Sequence, residues 1–263
     1  MLAKPWSPSP RCLRDAFRHD QFSLVFQPQL NLAEGSVCGA EVLVRWLHPE
    51  HGVLLPNRFL PLLAQTAFDW WLDDLVLIKA VQAQVDLQAA GIHLPLSINL
   101  SPRQLLHSDF LASLTSIAAR YPTVSLTTLE FELLESEPLF EVERAAEVMH
   151  QAIQLGVRFA LDDFGAGHAS LLRCHQLPVS KLKIDKSFTG FLMESPSSER
   201  WMQRTLEVAQ LLELTVIAEG VERCAQKDRL LQLGCPQGQG YLFARPMPQA
   251  AFIDWLRLRR LQD

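Results

Sequence analysis

Residues 126–163 read LTTLEFELLESEPLFEVERAAEVMHQAIQLGVRFALDD and contain two candidate strands with a candidate helix between them. The short runs 126–134 and 157–163 are rich in leucine, aromatic and β-branched residues, which predicts strands. Apolar residues recur at three- and four-residue intervals over 140–155, which predicts an amphipathic helix. Strands joined by a helical crossover pair in parallel, so this stretch predicts a parallel α/β architecture.

The same alternation continues along the rest of the chain. Further strands are predicted at 22–30, 38–46, 94–101, 181–187, 214–219 and 238–243, and further helices at 58–67, 70–90, 102–119, 197–213, 222–233 and 248–261. Eight strands with intervening helices suit a closed barrel better than an open sheet. The linker 31–37 is too short for a helical crossover, so the two strands that it joins should be antiparallel. The predicted fold is therefore α/β, a modified TIM (β/α)8 barrel with one antiparallel strand.

Length and composition indicate one globular unit. The chain has 263 residues, of which 48% are hydrophobic and 20% are charged, and these values are typical of a globular protein. A (β/α) barrel of this length forms a single domain. Three prolines lie within the first ten residues and disfavour a regular element there. We therefore predict an N-terminal tail at 1–11 and one domain at 12–263.

Charge and cysteine content exclude several classes of function. The formal charge of −5 supplies no basic surface for a nucleic-acid polymer. No apolar run approaches the length that crosses a bilayer, so no membrane insertion is expected. The five cysteines are scattered, odd in number and without C-x-x-C spacing, which argues against a disulfide framework and a zinc site. These features predict a cytoplasmic protein.

Polar residues interrupt the predicted strands near their C-terminal ends, where the active sites of such barrels lie. They are Glu41, Asn99, Glu132, Asp162, Asp163, Lys183, Glu219 and Gln239. A buried carboxylate is costly unless it is paired or bound to a metal ion. Lys183 and Arg45 are the positively charged residues of the predicted strands that lie closest to this pattern of carboxylates. Two cations are too few to neutralise the set. Divalent cations are the better explanation.

The ligand types indicate which cations fit. Carboxylates with one asparagine carbonyl, and no clustered histidine or cysteine, select Mg²⁺ or Mn²⁺. Asp162 and Asp163 would point to opposite faces of an ideal strand, so both can reach one site only where the strand turns into its loop. Gly165 and Gly167 make that turn possible. One of these aspartates could then bridge two metal ions about 3.5–4 Å apart.

At this point the chain resembles a known family, the EAL domains, which are cyclic di-GMP-specific phosphodiesterases. The resemblance covers roughly residues 13–258. It runs in order through Phe26-Gln27-Pro28, Glu41-Val42-Leu43-Val44-Arg45-Trp46, His48-Pro49-Glu50, Asn99-Leu100-Ser101, Glu132-Leu133-Leu134-Glu135-Ser136, Asp162-Asp163-Phe164-Gly165, Lys183-Ile184-Asp185, Ala218-Glu219-Gly220-Val221-Glu222 and Gln239-Gly240-Tyr241.

The resemblance implies a reaction and two metal ions. The reaction is hydrolysis of one phosphodiester of cyclic di-GMP to linear pGpG, with Mg²⁺ or Mn²⁺ as cofactor. One metal would be bound by Glu41, Asn99, Glu132 and Asp162, and the second by Asp162, Asp163 and Glu219. Lys183 and Gln239 would position the attacking water, so the implied catalytic residues are Lys183, Glu219, Gln239 and Asp163.

The resemblance also implies substrate contacts and partners. Gln27, Arg45, Asp185 and Gln239 would contact cyclic di-GMP. Glu135 would hold the loop at 162–170 in place, with Glu222 as a weaker supporting candidate. The same loop tends to reach the dimer interface in this family, so a homodimer is expected.

The chain departs from the family pattern at several positions. Glu41-Val42-Leu43 replaces Glu-Ala-Leu and keeps the ligand. Ala166, His168 and Ala169 stand where threonine, an aromatic residue and serine are usual, and Ser180 stands where aspartate is common. An alternative function is therefore a non-catalytic or weakly catalytic receptor for cyclic di-GMP. A structural or protein-interaction barrel is a third hypothesis, which the complete ligand set disfavours.

Overall fold

A computed structural model of the chain describes residues 9–63, 66–134, 141–165 and 171–260. The strands are β1 Phe22–Asn31, β2 Val37–His48, β3 Gly52–Leu54, β4 Leu96–Asn99, β5 Leu129–Leu134, β6 Arg158–Phe164, β7 Lys181–Ile184, β8 Thr215–Ala218, β9 Gln237–Gly238 and β10 Met247–Pro248. The helices are α1 Pro10–Arg18, α2 Pro56–Leu63, α3 Ala67–Ala89, α4 Pro102–Leu105, α5 Phe110–Arg120, α6 Val142–Leu155, α7 Leu171–Gln176, α8 Lys186–Phe191, α9 Pro196–Leu211, α10 Cys224–Gln232 and α11 Gln249–Arg260.

Eight of the strands in the described residues close into a barrel. The order around it is β1, β2, β4, β5, β6, β7, β8 and β9, and β9 pairs again with β1. Neighbours from β2 to β9 are parallel, whereas β1 is antiparallel to both β2 and β9. The predicted modified TIM barrel with one antiparallel strand is confirmed.

The sequence-based boundaries differ from the structure in several places. The strand predicted at 181–187 ends at Ile184, because Asp185 accepts a hydrogen bond from the Ser187 amide and caps α8. The strand predicted at 238–243 is limited to Gln237–Gly238. The helix predicted at 102–119 is two helices, α4 and α5, separated by a turn at 106–109.

Three helices and two short strands were not predicted, namely α1, α7, α8, β3 and β10. Helix α1 begins at Pro10 behind an N-terminal cap from Ser9, whose side chain accepts a hydrogen bond from the Cys12 amide. The division into a tail at 1–11 and a domain at 12–263 remains a prediction. None of the helices in the described ranges combines the length and the hydrophobicity of a membrane-crossing segment.

Apolar side chains fill the space between the barrel and its helices, and a separate apolar cluster lies beside β2. Leu13, Phe22, Trp46, Phe59 and Leu63 form much of that cluster. Strand β2 pairs with β4 only over Ala40–Val42, and it continues to His48 in pairing with β1 and β3. The extension carries Arg45 beyond the barrel wall, on the same side as the C-terminal ends of the parallel strands.

The barrel interior contains a lower polar layer that the sequence reasoning did not single out. Lys181 Nζ lies 2.8 Å from Glu130 Oε1, and Ser97 Oγ donates a hydrogen bond of 2.8 Å to the same oxygen. Both charged side chains are buried. Since side chains two residues apart on a strand share a face, Lys183 and Glu132 form the next layer toward the C-terminal ends.

Candidate functional site

Four strands bring charged side chains together in the upper layer of the barrel. Glu41 lies on β2, Glu132 on β5, Asp162 on β6 and Lys183 on β7. All four are buried. Parallel pairing brings the C-terminal halves of these strands to one end of the barrel. The predicted convergence of polar strand-end residues is therefore present in the structure.

Lys183 lies at the centre of this cluster. Its ammonium nitrogen lies 2.7 Å from Glu132 Oε2, 2.8 Å from Glu219 Oε1, 3.0 Å from Asp162 Oδ1 and 3.8 Å from Glu41 Oε2. The Lys183 side chain is 0% exposed. Burial alone would lower the pKa of Lys183, but the surrounding carboxylates outweigh it and raise the pKa well above its usual value. The surrounding carboxylates therefore favour the charged form of Lys183.

An irregularity in β6 lets two consecutive aspartates reach the same region. The pairing of β6 with β7 shifts register between Leu161 and Phe164. Asp163 has a φ of 55°, in the left-handed region, and its amide donates a hydrogen bond of 2.9 Å to Asp162 Oδ1. A regular strand would send these side chains to opposite faces. The expected turn at the end of this strand is therefore present.

Two groups of three carboxylates could each hold a metal ion. The first consists of Glu41, Glu132 and Asp162, and the second of Asp162, Asp163 and Glu219. Within each group, one oxygen from each residue lies within 4.8 Å of the others. Asp162 belongs to both groups, as the resemblance implies for the two ligand sets.

The chemistry of this cluster fits a hard divalent cation. The donors are all carboxylate oxygens, which suit Mg²⁺ or Mn²⁺. Glu132 Oε1 is buried and has no hydrogen-bond partner among the described residues. A buried oxygen without a partner is costly, and a cation would satisfy it. We take this orphaned oxygen as the structural sign that the site is built for a metal ion.

Burial, together with neighbouring carboxylates, raises the pKa of three carboxyl groups in the cluster. Burial raises the pKa of Glu132 well above its usual value. Burial also raises the pKa of Glu219 to about 8, and Asp162 and Glu41 add to this while Lys183 opposes it. The pKa of Asp163 rises to about 6 through burial and the nearby Asp162 and Asp185. Each of these three groups is therefore harder to ionise than an exposed carboxyl group.

Three amide side chains surround Glu41. Gln239 Nε2 donates hydrogen bonds to Glu41 Oε2 at 2.5 Å and to Gln27 Oε1 at 3.1 Å. Asn99 Nδ2 donates a longer bond of 3.4 Å to Glu41 Oε1. Gln239 Oε1 is buried and lacks a hydrogen-bond partner among the described residues. These contacts bring the predicted residues Gln27, Asn99 and Gln239 into one cluster with Glu41.

Arg45 and Asp185 lie at the edge of the cluster. Arg45 is half-buried, and burial lowers the pKa of its guanidinium while Glu41 and Tyr241 act in the opposite direction. Asp185 lies close enough to Asp163 to raise the pKa of that carboxyl, and its own carboxylate caps α8. Asp185 thus has a structural role besides the predicted substrate contact.

One feature beside the site was not predicted. The guanidinium of Arg245 lies 4.2 Å from the ring centre of Tyr241, which is about half exposed. Such a cation–π contact attracts the two side chains to each other, close in sequence to Gln239. Tyr241 belongs to the motif Gln239-Gly240-Tyr241. A single tyrosine, however, does not indicate from the sequence which arginine will contact it.

The predicted loop-positioning residues are Glu135 and Glu222. Glu135 and the loop residues 166–170 lie outside the described residues. Glu222 has an exposed side chain, and its amide donates a hydrogen bond of 2.9 Å to Gln226 Oε1. The proposed roles of Glu135 and Glu222 stay predictions.

Comparison with known proteins places the chain in a family. The model of the EAL domain matches residues 11–246. The chain belongs to the EAL domain family. Cyclic di-GMP phosphodiesterase PA2567 of Pseudomonas aeruginosa is 37% identical to this EAL domain over 236 residues, covering 90% of the chain and 40% of the relative. Cyclic di-GMP phosphodiesterase PdeR of Escherichia coli is 33% identical over 245 residues, covering 93% of the chain and 37% of the relative.

Solved structures of EAL domains have the same fold. The PaMucR phosphodiesterase in complex with c-di-GMP has a TM-score of 0.85 and 33% identity, and the match covers 92% of this chain and 98% of that one. EAL enzyme Bd1971, in a form with cAMP and cyclic di-GMP bound, has a TM-score of 0.87 and 29% identity, covering 94% of this chain and 67% of that one. The chain thus spans 98% of one solved chain, and less than half the length of the two curated relatives above.

Proposed function

We propose that this EAL domain hydrolyses one phosphodiester bond of cyclic di-GMP and releases linear pGpG. The main observation in support is the pair of carboxylate groups that share Asp162. Metal ions held in such a pair favour in-line displacement at phosphorus. The curated relatives named as cyclic di-GMP phosphodiesterases support the choice of substrate.

We propose Mg²⁺ or Mn²⁺ as the cofactor, with two ions in each site. The first ion would be held by Glu41, Asn99, Glu132 and Asp162, and the second by Asp162, Asp163 and Glu219. When bound, such ions lower the pKa of coordinated water and offset charge on the phosphoryl oxygens. The orphaned Glu132 Oε1 supports this assignment.

The remaining catalytic roles follow from the side chains around the carboxylates. The neighbouring carboxylates favour the charged form of Lys183, whose ammonium would stabilise negative charge that grows on the phosphoryl group. Gln239 donates to Glu41 and Gln27, so its amide is fixed in orientation and would position water through its free Oε1. Glu219 and Asp163 complete the proposed catalytic set.

Substrate binding is assigned to Gln27, Arg45, Asp185 and Gln239. Arg45 suits a phosphate, because the planar guanidinium donates two parallel charge-assisted hydrogen bonds. Its half-buried position next to Glu41 would bring a bound phosphate toward the carboxylate groups. Gln27 accepts a hydrogen bond from Gln239, so the two side chains would contact the same substrate molecule.

The decisive experiment is incubation with cyclic di-GMP and Mn²⁺, followed by chromatography of the products. We expect pGpG to form and a chelator to abolish its formation, because the carboxylates repel one another and cannot promote the reaction without cations. A folded protein that yields no pGpG in Mn²⁺ would overturn the proposed hydrolysis.

The second candidate is a receptor that binds cyclic di-GMP with little or no cleavage. The altered residues Ala166, His168 and Ala169 favour it, since they lie within six residues of Asp163 in the sequence. Calorimetry separates the two functions. A receptor binds the dinucleotide and leaves it intact in the presence of either metal or chelator.

We also propose that the protein is a cytoplasmic homodimer. Cys12, Cys38, Cys224 and Cys235 are free cysteines in the described part of the chain, which suits a reducing compartment. Phe191 and Met193 are 56% and 50% exposed, and apolar surface of this kind is often buried between subunits. We expect light scattering to give twice the 29.7 kDa chain mass. A purely monomeric sample at micromolar concentration would contradict the dimer.

A further inference from the structure

We infer that Lys183 is the resident counter-ion of the carboxylate cluster in the metal-free protein, and that divalent cations exchange with its ammonium at the same carboxylate groups. The identity of the metal rests on the proposed function, whereas the role as counter-ion rests on the contacts of Lys183 alone. The inference gives Lys183 a second role besides the proposed effect on the phosphoryl group. It would set both the stability of the metal-free protein and the affinity for metal.

The first step of the argument is the number of contacts. An ammonium group has three N–H donors. Three carboxylates lie within 3.0 Å of Lys183 Nζ, and they belong to Glu132, Asp162 and Glu219. These residues come from β5, β6 and the end of β8, so one cation holds three separate segments together. A fully buried ammonium needs such partners, and the carboxylates equally need it.

The second step is that the carboxylates in contact with Lys183 are also candidate metal ligands. Glu132 and Asp162 belong to the first carboxylate group, and Asp162 and Glu219 belong to the second. A cation in either group therefore draws on carboxylates that Lys183 already holds. The orphaned Oε1 gives Glu132 one oxygen that it can offer to a metal while Oε2 stays with Lys183. Asp162 already accepts the Asp163 amide on the oxygen next to Lys183.

The third step is the energetic consequence. Removing one partner of a buried charge pair is strongly destabilising, because the remaining charges are left unpaired. Without Lys183, the carboxylates of Glu132, Asp162 and Glu219 would lose the cation that lies within 3.0 Å of all three. A bound divalent cation supplies the missing positive charge, so loss of Lys183 should matter much less once metal is present. Metal should also bind more tightly, because it no longer competes with the ammonium.

The experiment compares wild type, Lys183→Met and Lys181→Met in chelator and in Mn²⁺. Lys181 lies on the same strand and pairs with Glu130. Because Glu130 belongs to neither carboxylate group, Lys181 is a matched control. Thermal unfolding reports stability, and calorimetric titration with Mn²⁺ reports affinity without any need for turnover.

We expect Lys183→Met to unfold at a lower temperature than wild type in chelator, and at least half of that deficit to disappear in saturating Mn²⁺. Its affinity for Mn²⁺ should rise about tenfold, which corresponds to about 1.4 kcal/mol. The unfolding temperature of Lys181→Met should fall below that of wild type by the same amount in chelator and in Mn²⁺. If Lys183→Met does not fold in chelator, addition of Mn²⁺ should restore its folding, and the milder Lys183→Gln gives the affinity.

Equal deficits for Lys183→Met with and without Mn²⁺ would overturn the exchange, as would a wild-type protein whose unfolding does not respond to Mn²⁺. Failure of Mn²⁺ to restore an unfolded Lys183→Met would have the same meaning. A protein that shows the exchange but cleaves no cyclic di-GMP would support this inference and overturn the proposed hydrolysis instead.

Discussion

Asp162→Asn is expected to lower the rate of cyclic di-GMP hydrolysis by about a thousandfold, or about 4 kcal/mol of transition-state stabilisation. Asp162 is the carboxylate common to both candidate metal groups, so one substitution weakens both. Asparagine keeps the size and the carbonyl oxygen that accepts the Asp163 amide. The fold should therefore survive, and the loss should be one of charge alone. Initial rates of pGpG formation in Mn²⁺ measure the effect.

The matched control for this variant is Asp254→Asn. Asp254 lies on α11, is largely exposed and pairs only loosely with Arg257, at 3.6 Å. Exposed ion pairs contribute little, so this variant should keep wild-type rates. Circular dichroism of both variants checks the fold. Asp162→Asn protein that retains more than a tenth of the wild-type rate would contradict the assignment of the shared ligand.

Much of the barrel can be predicted because the signals are local. Helix 140–155 and the strands on either side of it follow from apolar periodicity, and the structure has α6 between β5 and β6. The antiparallel pairing of β1 with β2 follows from the short linker at 31–37. Short elements such as α8 and β10 escape prediction, since a few residues do not establish a period.

The composition of the site can also be predicted, whereas its internal pairing cannot. Strand ends converge in any barrel, so Glu41, Glu132 and Asp162 are expected together. Lys183 contacts all three carboxylates because of the way in which β2, β5, β6 and β7 are offset along the barrel axis. The sequence does not encode these offsets locally. The separation of Lys181–Glu130 from Lys183–Glu132 into two layers depends on the same registers.

Gly240→Ala is expected to destabilise the protein by about 3 kcal/mol and to lower hydrolysis at least about a hundredfold. A Cβ at Gly240 would lie 2.6 Å from the Val221 carbonyl carbon, and still closer to the backbone oxygen and nitrogen of Val221. The φ of Gly240 lies outside the left-handed region, so lack of space is the sole objection to a side chain. Backbone atoms cannot rotate away as a flexible side chain can, so the segment must move.

That movement would displace Gln239, which precedes Gly240 directly. The Val221 amide donates a hydrogen bond of 3.0 Å to the Gln239 carbonyl, and the Leu242 amide donates one of 3.0 Å to the Val221 carbonyl. A shift of about 1 Å at such a position is enough to cost a hundredfold in rate. The loss should therefore appear in the rate at saturating substrate as well as in stability.

Gly190→Ala provides the matched control for Gly240→Ala. Gly190 lies within α8, has no heavy atom within 4 Å of its added Cβ, and has a φ outside the left-handed region. Alanine favours a helix over glycine by about 0.5–1 kcal/mol, so this variant should be slightly more stable than wild type with an unchanged rate. Urea unfolding and initial rates measure both variants. Gly240→Ala with wild-type stability and rate would mean that the segment after β9 is not packed against Val221, and that Gln239 is held at the metal groups by other contacts.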